Sequence, residues 1–156
     1  MASEGAGLMG RREIVSGLLA GLAGQTVMFI VVRLVLPALF DTRPPPAVLV
    51  QLILGLPIYG GAVAVQLLIT VVALPAAFVL AARPLMRAVV PDMPWWVMGA
   101  VFGAVIGLAA LATIAFGWVG GGEIQGFSYA LPPGLMALMA YGLTVAGVLH
   151  WREHAE

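Results

Sequence analysis

The chain has 156 residues, of which 62% are hydrophobic and 9% charged. A soluble domain carries roughly a quarter of its residues as charges, so this composition cannot clothe a water-facing surface. Net charge is zero, every basic residue is Arg and there is no Cys. Nothing forms a basic stripe that would follow a phosphate backbone, and no disulfide, iron–sulfur or thiolate-metal site can be built.

The charges gather in three places: Arg11, Arg12 and Glu13; Arg83, Arg87 and Asp92; and Arg152, Glu153 and Glu156. Between them lie apolar runs of bilayer length. The sequence therefore predicts one all-α integral membrane domain of four transmembrane helices, over about 13–36, 58–82, 95–118 and 133–151, with a short interfacial segment at 47–56.

Arg11-Arg12 before the apolar run from Ile14 resembles a secretory signal. No A-x-A cleavage site closes this run, and the rest of the chain is itself membrane-spanning, so the run is expected to stay as the first span. Pro37 and the Asp41-Thr42-Arg43-Pro44-Pro45-Pro46 run are expected to stop it. The next stretch, 47–82, would be about 50 Å long as one helix, against a hydrocarbon core of roughly 30 Å. Gly55 and Pro57 supply a break, leaving Gln51 at the polar edge of the interfacial piece. Pro75 falls inside the second span and should kink it, with neighbouring groups satisfying the carbonyl it frees.

Trp95 and Trp96 open the third span and Trp118 closes it, anchoring both interfaces. A polar glycine-rich loop, 120–126, leads to the fourth span, which ends at Trp151. Arg11, Arg12, Arg83, Arg87 and Arg152 fall on one side, so the positive-inside rule places both termini in the cytoplasm of a bacterial inner membrane. Arg33, near the outer end of its span, is expected to reach the headgroups or Asp41.

Small residues four apart identify the faces that can approach closely in lipid. Gly17, Gly21 and Gly24 lie in the first span, Gly99, Gly103 and Gly107 in the third, and Gly142 in the fourth. The polar residues at depth are Gln25, Gln66 and Thr70, which either bridge the first two spans or line a polar path. No Asp, Glu, Lys or His lies near the middle of a span, where proton pumps and ion-coupled carriers usually need one.

His150 and His154, four apart on the last helix, offer a low-weight metal or haem site. No His occurs elsewhere, so two spans cannot clamp a haem between them. The Met residues read as packing, and Glu123 as a solvated loop acid. No nucleophile, base and orienting group can be assembled, which argues against catalysis by this chain alone.

Three segments, Gly17-Leu-Leu-Ala-Gly21-Leu-Ala-Gly24, Pro94-Trp-Trp-Val-Met-Gly-Ala-Val-Phe-Gly103 and Met139-Ala-Tyr-Gly-Leu-Thr-Val-Ala-Gly147, carry a resemblance to small uncharacterised four-helix bacterial inner-membrane proteins. Leu138 stands where that group often has His, which removes a ligand there. The resemblance implies a four-helix fold and no established activity.

The expected function is a non-catalytic accessory subunit of a larger membrane complex, foremost a respiratory or other electron-transfer complex such as a terminal oxidase. The alternatives are a small homo-oligomeric channel or transporter, and a metal- or haem-binding protein using His150 and His154. No cofactor is expected beyond bound lipid. The expected partners are membrane lipids and other membrane subunits, with no nucleic acid.

Overall fold

The computed structural model describes residues 11–40, 59–115 and 127–155, which are nearly all helical and contain no strand. Helix α1 runs over 11–40, α2 over 59–89, α3 over Trp95–Ala115 and α4 over Phe127–His154. Three apolar segments are long enough to cross a membrane: Arg12–Leu39, Val63–Val89 and Gly134–His154. In α3 a shorter apolar stretch spans Trp95–Ala110. The interfacial segment expected at 47–56, the break at Gly55 and Pro57, and the outer end of the third span lie outside the described residues.

Side chains on the outside are as apolar as those within. Leu34, Leu68, Leu80 and Val105 are exposed, while Tyr141, Phe78, Leu36, Val145 and Pro75 are fully buried. Such a surface suits hydrocarbon rather than water. Helix α4 is central, packing against α3 on one flank and α1 on another, and α1 packs in turn against the middle of α2. Phe78 of α2 meets Phe102 of α3 edge to face, with ring centroids 4.9 Å apart.

Helix boundaries depart from the sequence reading at the prolines. Pro37 was expected to end the first span, yet α1 continues to Phe40; Pro84 lies within α2, which continues to Val89. In each case the chain widens just before the ring. Val31–Val35, Ile69–Ala73 and Phe78–Ala82 are π-helical turns, and the amide after each bonds five residues back: Leu36 to Val31, Leu74 to Ile69, Arg83 to Phe78. The residue that follows is Pro37, Pro75 and Pro84 respectively.

A proline ring in a regular α-helix collides with the carbonyl four residues earlier and cannot bond to it. Opening the preceding turn to a π register moves that carbonyl aside, so the helix passes the proline without stopping. The cost is that carbonyls just before each ring lose the amides that would serve them.

Candidate functional site

The glycines on α3 lie along a seam with α4. A Cβ on Gly99 would sit 2.6 Å from the Gly142 carbonyl oxygen and 2.8 Å from the Ala146 Cβ. One on Gly103 would overlap the Leu138 carbonyl oxygen, and one on Gly107 would come 2.9 Å from Leu135 Cδ1. The α4 partners fall in number as the α3 positions rise, so the two helices are antiparallel. In return, a Cβ on Gly142 would stand 2.8 Å from the Gly103 nitrogen. The backbones approach so closely that no side chain fits between them.

On α1, Gly24 faces the Tyr141 ring, where a Cβ would stand 2.8 Å away, and Gly21 faces α2 at Val71 and Pro75. Gly17 has the same spacing and meets nothing within 4 Å. Six of the seven glycines singled out by spacing thus lie on helix contacts inside the chain, and Gly17 does not.

The polar groups at depth are arranged around Pro75. With the Leu74 amide bonded to Ile69, the next acceptor in the π register is the Thr70 carbonyl, and its donor would be residue 75. Proline has no N–H to give. The Tyr141 hydroxyl on α4 donates to that Thr70 carbonyl, at 2.5 Å, and the Thr70 hydroxyl donates to the Gln66 carbonyl at 2.8 Å. Val71, whose carbonyl would be the acceptor for residue 75 in an α register, presents its oxygen to Gly21, where there is no Cβ to block the approach. Neighbouring helices therefore cover both carbonyls that Pro75 leaves unserved.

No hydrogen bond joins Gln25 to Gln66; Gln66 is buried, and the Oε1 of Gln25 is buried without a partner among the described residues. The polar tie into α2 comes from Tyr141. Sequence reasoning missed this residue, although a phenol inside an apolar span is itself a signal, because its hydroxyl must find an acceptor there. Arg33, expected to reach headgroups or Asp41, has its guanidinium 5.6 Å from the Phe29 ring centroid; Asp41 lies outside the described residues.

Where α2 and α4 end and α3 begins, a cavity of about 290 Å³ opens. Its floor is apolar, from Phe78, Met98 and Leu149, and its polar lining is Arg83, Arg87, His150 and His154. Arg83 forms a two-pronged ion pair with Glu153, Nη1 to Oε1 and Nη2 to Oε2, the second at 2.6 Å. This fork ties the end of α2 to the end of α4.

Trp95 stacks on the His150 ring at 5.6 Å between centroids, and the His150 and His154 rings are 4.1 Å apart. Nδ1 of His154 lies 2.8 Å from the His150 carbonyl oxygen, so the tautomer protonated there donates to it and leaves Nε2 free. Among the described residues no group of three His, Cys, Asp or Glu could hold a metal ion. Arg83 and Arg87 in the same lining favour an anion over a cation.

Compared with known proteins, the chain matches no family model, no curated sequence and no solved structure.

Proposed function

We propose that this chain is a non-catalytic, four-span protein of the bacterial inner membrane, both termini cytoplasmic, acting as an accessory subunit of a larger membrane complex. The observation carrying this reading is that two hydroxyls at depth, those of Tyr141 and Thr70, are spent on backbone carbonyls, one of them across two helices. Tyr141 and Thr70 serve backbone carbonyls, and the centre of the bundle is filled by Tyr141, Phe78, Leu36 and Val145. A channel or carrier built on Gln25, Gln66 and Thr70 would need those groups to face an open path, and Thr70 is committed to the helix backbone. A reaction centre would need ionisable groups there, and Arg83, Arg87, Glu153, His150 and His154 all lie at one end.

Gly17 supports an outward role. Among the described residues nothing lies within 4 Å of a Cβ placed there, in contrast to Gly21 one turn later, so a partner helix could approach at that point. The test is isolation of the native protein in mild detergent, with mass spectrometry of whatever co-elutes in fixed stoichiometry. An assembly that survives for the natural chain and is lost for Gly17→Leu, with the isolated chain equally stable in both, is the expected result. The natural protein eluting alone as a monomer would refute the proposal. The co-eluting subunits also decide whether the complex is an electron-transfer enzyme.

A further inference from the structure

The cavity at the arginine-bearing end is framed by groups that brace the helix ends, Arg83 and Trp95 among them, and it combines a cationic lining with an apolar one. About 290 Å³ is close to the lower limit of small-ligand pockets, roughly 300 Å³, and suits a compact polar group rather than a whole organic cofactor. Its polar lining consists of cations and potential cations: Arg83, Arg87, His150 and His154. The lining holds no carboxylate, and Glu153 beside it is occupied by Arg83 through both of its oxygens. Glu153 therefore holds Arg83 in place rather than facing an incoming anion; Arg87 also lies within electrostatic reach of Glu153, so the two guanidiniums and one carboxylate leave the cluster net positive.

Below this cationic rim the lining becomes hydrocarbon, with Phe78, Met98 and Leu149 on the floor and Trp95 at the edge. Trp at a span's end marks the depth at which headgroups meet acyl chains. A ligand suited to both layers has an anionic, hydrogen-bond-accepting head and an apolar continuation.

We propose that this cavity is a binding site for a phosphate-bearing anion, namely the headgroup of an anionic phospholipid, held by the N–H groups of Arg87, with Arg83 positioned by Glu153 and the His150–His154 pair forming the wall beside them. Guanidinium N–H groups are suited to phosphate oxygens, and each Arg near a membrane surface adds about 1 kcal/mol of attraction to anionic lipid, or about fivefold. The proposal is independent of whether the chain belongs to a larger complex.

Native mass spectrometry of the full chain, offered equal amounts of phosphatidylglycerol and phosphatidylcholine with the same acyl chains, tests it. The natural chain should retain phosphatidylglycerol preferentially, Arg87→Gln should lower that preference about fivefold, and Arg87→Lys should keep most of it. Arg152→Gln is the control, because Arg152 sits on the same helix end and is not in the cavity lining. Equal losses for Arg87→Gln and Arg152→Gln would mean diffuse surface attraction and overturn the site. So would an absent preference, or one unchanged by Arg87→Gln.

Arg87 is exposed, so its replacement leaves the fold intact, and matching circular dichroism spectra verify this. Inorganic phosphate at millimolar concentration distinguishes the source. Release of bound lipid from the natural chain, and not from Arg87→Gln, assigns the site to a soluble phosphate compound, whereas retention assigns it to the lipid headgroup.

Discussion

Replacing Tyr141 by Phe removes one oxygen and leaves the Thr70 carbonyl, bypassed by Leu74 and unserved by Pro75, without a donor. Hydrogen bonds between membrane helices average about 0.6 kcal/mol and reach about 1.7. A buried acceptor left unsatisfied costs about 1–3 kcal/mol. Tyr141 is fully buried, so water cannot replace its hydroxyl, and Tyr141→Phe should cost about 1–2 kcal/mol.

The cause can be isolated with Pro75→Ala, which returns an amide to position 75. That amide can reach Thr70 in the π register, or Val71 while Leu74 returns to Thr70; in both cases the carbonyl regains a backbone donor. In the Pro75→Ala background Tyr141→Phe should cost about 0.5 kcal/mol, a coupling of about 1 kcal/mol between residues on different helices. Reversible unfolding of the four proteins in mixed lipid–detergent micelles, followed by far-ultraviolet circular dichroism, gives the cycle. Equal costs for Tyr141→Phe in both backgrounds would refute the idea that this hydroxyl answers the proline.

Four further substitutions have outcomes set by the same structure. Gly103→Ala, which drives a methyl into the Leu138 carbonyl and to within 2.7 Å of Met139 Cα, should destabilise the protein by about 2–3 kcal/mol. Gly17→Ala meets open space and should be neutral or stabilising by up to about 1 kcal/mol in the same unfolding assay; similar losses for both would refute the α3–α4 seam. Gln25→Leu removes a buried oxygen that has no partner and should raise stability by about 1 kcal/mol, whereas a loss would show that this oxygen is bonded. Glu153→Gln should cost less than about 1 kcal/mol and the pair should weaken in high salt, because the Arg83 and Glu153 side chains are 18% and 43% exposed. A loss above about 3 kcal/mol would instead indicate a pair sealed from solvent.

Local properties of the chain were legible in its sequence. Long apolar runs bounded by Arg and Trp predict helices of bilayer length, because a backbone in hydrocarbon must bond within its own segment, and three apolar segments have that length. Pro75 announced a freed carbonyl in the second span, and small residues four apart announced that helices could approach closely. The proline signal was misread at Pro37, where a stop was expected. A ring forbids a regular α turn without forbidding a helix, and a π turn before it carries the chain on.

Only the tertiary structure decided how those signals are used. Gly17 and Gly21 share one face of α1, a turn apart, yet Gly21 lies against Val71 while Gly17 meets no described residue, because where along its length α1 crosses its neighbours is set by the whole bundle. Tyr141 and Thr70 are 71 residues apart, and Arg83 and Glu153 are 70 apart. No local pattern links such residues, since their meeting depends on how α2 and α4 align. Sequence determined that Pro75 would leave a carbonyl unserved; the bundle, which brings Tyr141 of α4 to Thr70 of α2, determined that a tyrosine would serve it.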